Sequence, residues 1–151
     1  MQSALRFVRV ACLACEMGCE MTDLLESADI VIVGGAVIGS SIAYHLASHP
    51  AFSGSILVVE KDPTYARAAS ALSAASIRQQ YSSAINIRIS LFGIEFLRNI
   101  GHYLQVDGEA PVIDLHEGGY LYLASQAGHA VLSKNHAVQR QEGADIALFD
   151  Q

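Results

Sequence analysis

Basic side chains are scarce in this chain: nine Lys and Arg stand against fifteen Asp and Glu in 151 residues, a formal net charge of −6. With no basic stripe and no aromatics interleaved among cations, the electrostatic footprint of a nucleic-acid binder is missing. Cysteine is scarcer still. All three, Cys12, Cys15 and Cys19, are clustered near the start, and an odd, clustered set cannot staple a domain with disulfides. Their C-x-x-C-x-x-x-C spacing would suit a metal centre only with a fourth ligand, and no second cysteine pair follows, so no metal is expected. His102, His116, His129 and His136 stand in no motif that demands a base. No Ser-His-Asp or Cys-His arrangement can be argued from spacing, which leaves a hydrolase without support. Internal repeats and low-complexity segments are also lacking.

What the chain does have is apolar residues, 52% of the total with only 16% charged, and one informative stretch among them. Ala28-Asp29-Ile30-Val31-Ile32-Val33-Gly34-Gly35-Ala36-Val37-Ile38-Gly39 reads as a strand, a glycine turn and a helix start. The β-branched run Ile30 to Val33 suits a parallel strand covered on both faces, and Gly34 permits the tight turn. Gly39 lets the helix pack closely on that strand. The middle position of G-x-G-x-x-G holds Ala36, whose methyl group hinders the approach of a pyrophosphate slightly. From Val37 to Ala47 the apolar residues recur at helical spacing, which points the positive helix end at phosphates. A second strand, Ile56 to Val59, ends in Glu60. A carboxylate there can accept hydrogen bonds from ribose hydroxyls and would repel a 2′-phosphate, which favours FAD or NAD over NADP. Gly34-Gly35, His45 and the β-branched run fit a strand and turn better than a membrane-spanning helix. Gly34, Gly35, Ala36, Val37, Ile38, Gly39, Glu60 and its neighbour Lys61 are therefore the candidate nucleotide residues.

Further along, Ala69-Ser70-Ala71-Leu72-Ser73-Ala74-Ala75-Ser76-Ile77-Arg78-Gln79-Gln80-Tyr81 combines small residues with a single arginine. Together with Glu60-Lys61-Asp62, this segment resembles the FAD-dependent D-amino-acid oxidase and sarcosine oxidase family. The resemblance implies FAD as cofactor, with Ser70, Ser73, Ala74 and Ser76 lining it and Arg78 approaching the isoalloxazine ring. Small side chains allow close backbone approach, and a cation near the N1 and C2 carbonyl end suits a ring that gains negative charge. Some members of the family bear a histidine that bonds covalently to the flavin in this segment. Ser73 stands at the corresponding place, so no covalent link is expected. The helical pattern Asn86 to Leu97 and the run His116 to Ala124 look like the family's next helix and its first substrate-domain strand. A further helix is expected within Ser125 to Gly143, lying over the substrate-domain sheet.

The expected architecture is α/β: a Rossmann-like FAD-binding βαβ unit with the start of an α+β substrate domain, truncated. Residues 1–27 read as a leader, 28–101 as the FAD-binding unit with its flavin-contacting loop and helix, and 102–151 as the opening of the substrate domain. The break is placed near Gly101 to Gly108, where Asp107-Gly108 marks a turn. At 151 residues the chain is short for a two-domain flavoprotein. It reads as an N-terminal piece that a complementing C-terminal chain would complete, with apolar faces left open to self-association. The leader lacks acids before Glu16 and bears Arg6 and Arg9. A cytoplasmic location is expected, a mitochondrial presequence is the alternative, and Met21 is a candidate start.

Three functions fit these residues. The first is an FAD-dependent oxidoreductase fragment that oxidises a C–N bond of a small amine or amino acid by hydride transfer to flavin. The second is an NAD-binding dehydrogenase domain, supported by the glycine turn and Glu60 but not by the Arg78 segment. The third is an inactive remnant.

Overall fold

The computed structural model of the chain describes residues 8–12 and 27–149. They belong to two compact units, Met1–Ala75 and Ser76–Gln151. Asp107-Gly108, the turn at which the sequence expects a domain break, lies inside the second unit.

In the first unit three strands form one parallel sheet: β1 (Val8–Cys12), β2 (Ile30–Val33) and β3 (Ile56–Glu60), in the order β1-β3-β2. Ile30 pairs with Ile56 and Val33 with Val59, and on the other side of β3 Val8 pairs with Ile56 and Cys12 with Glu60. The helix α1 (Val37–Ser48) connects β2 to β3. Parallel neighbours need such a crossover, because a tight turn cannot return the chain to the same end of the sheet. The register is pinned where β2 and β3 begin. The Asp29 carboxylate accepts from Ser55 N (2.8 Å) and Ser55 Oγ (2.8 Å), while Asp29 N donates to Ser55 Oγ (3.1 Å).

The core is built on one face of the sheet. Ile32, Ile56, Val58 and Ala43 of α1 are buried, with Ile30, Leu46, Ala47 and Phe52 packed around them. The side chains of β2 alternate across the sheet, so Val31 and Val33 point away from this core and are 54% and 86% exposed. The expectation that β2 is covered on both faces is thus corrected. Among the described residues of this unit a single helix packs on the sheet, and one helix covers one face. β1 lies within residues 1–27, the stretch expected to be a leader. Its Val-Arg-Val-Ala-Cys run forms a strand because β3 offers it a free parallel edge. The remainder of the leader, with Cys15, Cys19 and Met21, lies outside the described residues.

The second unit is helical: α2 (Ala84–Arg98), the single turn α3 (Ile100–Tyr103) and α4 (His129–Gln141), which a 3-10 turn at Gln126–Gly128 precedes. Ile87 of α2 and Ala144 beyond α4 are fully buried. Arg88 of α2 grips Glu142 with two hydrogen bonds, Nε to Oε2 (2.5 Å) and Nη2 to Oε1 (3.0 Å). The buried amide of Gln139 donates to the Tyr81 carbonyl (3.0 Å), so this polar group is satisfied. Gly143 ends α4 with φ +88°, the left-handed conformation that lets Ala144 N donate back to Gln139 O (2.9 Å).

His116 to Ala124, expected as a strand, is not one here, because a strand requires a backbone ladder with a neighbour. Side chains hold the segment instead: Arg98 pairs with Glu117, and Gln80 Nε2 donates to Tyr120 O (3.0 Å). With no sheet among the described residues of this unit, α4 does not lie over one and packs on α2. No helix of the described residues is long and apolar enough to cross a membrane.

Candidate nucleotide site

The glycine turn between β2 and α1 is shaped by two close approaches. Gly34 sits at φ +98°, open to glycine and strained for other residues, and its N–H donates to Val59 O (2.8 Å) as the last rung of the sheet. A Cβ on Gly39 would lie 1.8 Å from the Gly34 carbonyl oxygen. Only hydrogen fits there, which is the close helix-to-strand packing the motif demands. The Ala36 position is accommodated at the helix N-cap, with Ser40 N donating to Ala36 O (2.9 Å). Ser40 Oγ donates to Gly35 O (2.5 Å) and ties the first turn of α1 to the loop.

Glu60 meets this turn from the end of β3. Its Oε2 accepts from Gly35 N (2.7 Å) and its Oε1 from Asp62 N (2.9 Å). These N–H groups, that of Asp62 foremost, hold the carboxyl below its ordinary pKa. Glu60 thus organises the glycine turn itself. Each carboxylate oxygen keeps a second lone-pair direction, so hydroxyl groups of a ribose can still be accepted. The next acid, Asp62, is also held low, chiefly by the Thr64 hydroxyl and N–H.

Gly35, Ala36, Val37, Ser40, Tyr65 and Ser70 line one cavity of about 250 Å³. Three of the predicted turn residues and one predicted serine of the small-residue segment therefore share a cavity. Ile38 is turned outward at 74% exposure, and Lys61 is exposed beside Glu60. Ser73 lies in the same unit and folds the loop on itself: its hydroxyl donates to Ser70 O (2.9 Å) and accepts from Ala75 N (3.1 Å). Ala74 is exposed next to it. Ser76 and Arg78 belong to the second unit. There the Arg78 guanidinium donates to the Tyr122 hydroxyl (2.5 Å) and lies 5.1 Å from the centre of the Tyr81 ring. The Ser90 hydroxyl of α2 donates to the Arg78 carbonyl.

Ser40 and Tyr65 are not among the residues expected from the sequence. Ser40 follows Gly39 directly and could have been found by asking which hydroxyl reaches back from the first helical turn. The signal for Tyr65 was the turn-forming Asp62-Pro63-Thr64 in front of it.

A glycine turn at a helix start, a carboxylate at the tip of the next strand bound to that turn, and a cavity beside the turn are features that suit an adenosine diphosphate group. The sequence profile of the FAD dependent oxidoreductase family matches residues 29–151. The chain belongs to this family. Members of the family use FAD, and the residues of the first unit fit its nucleotide half. "FAD-dependent oxidoreductase domain-containing protein 1" of Bos taurus is 49% identical over 127 residues, covering 82% of this chain and 26% of the relative. The protein of that name in Xenopus laevis is 48% identical over the same shares. The homolog in Drosophila melanogaster is 35% identical, covering 84% of this chain and 24% of the relative. The chain thus spans about a quarter of the length of these relatives. No solved structure matches it.

Proposed function

We propose that this chain provides the nucleotide-binding opening of an FAD-dependent oxidoreductase that oxidises a C–N bond of a small amine or amino acid. The observation that carries the cofactor part is the Glu60 carboxylate bound to Gly35 N at 2.7 Å, which sets an acid able to accept from a ribose against the glycine turn. Gly34, Gly35, Ala36, Val37 and Gly39 hold the diphosphate, and Glu60 orients the ribose. Ser70, Ser73, Ala74 and Ser76 give the flavin close backbone approach. The family resemblance assigns Arg78 to the ring edge, and within the second unit its guanidinium is kept in orientation by the Tyr122 hydroxyl and the Tyr81 face. When bound, flavin supplies the two-electron acceptor that takes a hydride equivalent from the substrate carbon. The C–N part rests on the family resemblance of the small-residue segment with Arg78.

Calorimetric titration of FAD into the 151-residue chain tests the cofactor part. Binding with 1:1 stoichiometry that Glu60→Ala weakens roughly tenfold is expected, as for a charged hydrogen-bond acceptor removed. Equal affinity in both proteins, or a preference for NAD over FAD, would overturn it. For the C–N part, flavin bleaching by small amines or amino acids, measured with the full-length relative carrying these residues, is expected. Bleaching by alcohols alone would overturn that part.

A further inference from the structure

Tyr65 is the one large side chain of the cavity, and its backbone has a conformation that a tyrosine rarely takes. Its φ is +55°, a left-handed value that crowds any residue with a Cβ. The surrounding turn imposes it. Thr64 N and Thr64 Oγ1 both donate to Asp62 Oδ1 (3.0 and 2.6 Å), Tyr65 N donates to Asp62 O (3.0 Å), and Ala68 N donates to Tyr65 O (2.9 Å). Held this way, the phenol reaches over the glycine turn, its oxygen 3.1 Å from where a Cβ of Gly35 would stand. Among the described residues, no protein group hydrogen-bonds that oxygen. The cavity beside it is otherwise lined by small or aliphatic residues at the start of α1 and by Ser70. The first turn of α1 holds no acid that would repel an anion.

We propose that Tyr65 is a further ligand residue of the nucleotide site, its hydroxyl donating to an oxygen of the dinucleotide's diphosphate. The inference rests on the reading of this cavity as the FAD site. A left-handed tyrosine aimed at the turn serves this purpose: the strained backbone is the means by which a residue five positions after Glu60 returns over Gly35. The phenol adds a donor without adding a charge, and it narrows the opening above the glycines.

Titration of the 151-residue chain with ADP and with adenosine tests it, alongside melting temperatures. Tyr65→Phe keeps the ring and removes the donor. It is expected to lower ADP affinity roughly tenfold, the effect of one lost hydrogen bond to a charged group, with little loss for adenosine and an unchanged melting temperature. Tyr65→Gly relieves the backbone, so it is expected to raise the melting temperature while losing at least as much ADP affinity. Stability and affinity thus move in opposite directions, which a merely structural tyrosine would not produce. Wild-type affinity for ADP in Tyr65→Phe, or equal losses for ADP and adenosine, would overturn the proposal. If Glu60→Ala still weakens ADP in that case, the nucleotide reading stands without Tyr65. No ADP or FAD binding by the wild-type chain would overturn both.

Discussion

Gly39, by its lack of a side chain, and Glu60, by its bond to Gly35 N, shape the glycine turn. Because the Gly34 oxygen occupies the space that a Cβ on Gly39 needs, a larger residue must push α1 away from β2. Gly39→Val is expected to cost about 3 kcal/mol of stability by overpacking and to abolish FAD binding, measurable by urea denaturation and calorimetry. Glu60 gives a pH dependence of definite sign. Its carboxyl lies below its ordinary pKa in the folded chain because Asp62 N–H and Gly35 N–H bind the charged form. The unfolded chain therefore takes up the proton first as acid is added. The stability Glu60 lends is complete above the unfolded pKa and is lost as pH falls through the lower, folded value. Denaturation midpoints across the acid range are expected to fall less steeply in Glu60→Gln than in the wild type. Asp29 behaves in the same sense, its carboxyl held low by the Ser55 N–H and hydroxyl, so it adds a slope that the Glu60 variant retains.

Elements whose pattern is local were readable in the sequence. The β-branched runs at Ile30 and Ile56 and the helical spacings of α1, α2 and α4 mark their own structure, whatever surrounds them. β1 was not readable, because Val8–Cys12 becomes a strand only through the edge of β3, which lies more than forty positions on. The run His116 to Ala124 failed in the opposite way: its composition is that of a strand, but a ladder depends on a partner that no local pattern encodes. The motif fixes the spacing of the glycines and Glu60, and the family resemblance singles out Ser70, which lines the same cavity as Gly35, whereas Tyr65 depends on a backbone angle that sequence periodicity does not report. The end of α4 offers a test at this scale. A Cβ on Gly143 meets nothing within 4 Å, so Gly143→Ala costs backbone strain alone, about 1 kcal/mol. The expected outcome is a lower melting temperature, with faster amide exchange in the last turn of α4.

The whole molecule leaves much apolar surface in contact with water. Val31 and Val33 form an open sheet face, Val37 and Ile38 are 61% and 74% exposed on α1, and in the second unit Val112, Leu121 and Leu123 are exposed at 96%, 76% and 87%. Where such side chains are neighbours, as Val31 and Val33 are on one face of β2, exposed apolar surface promotes association. Size-exclusion chromatography of the chain at increasing concentration is expected to show oligomers, and Val31→Thr with Val33→Thr, which keeps strand-favouring β-branched residues, is expected to raise the monomer fraction. Concentration-independent elution as a monomer by the wild type would contradict this reading.

The Asp29 to Ser55 clasp also bears on when the nucleotide unit can take shape. The contacts close a span of 26 positions, and inside or just beyond it lie all four buried core residues, Ile32, Ala43, Ile56 and Val58. Every partner this nucleus needs has thus been synthesised once Glu60 has left the ribosome, long before the last helix exists. Short sequence separations shorten the search for native contacts, and domains form as units during synthesis from the N-terminal side. A nascent chain arrested shortly after Glu60 has emerged should already protect the amides of β2 and β3 from exchange, with the cradle for the cofactor assembled while the second unit is still being translated.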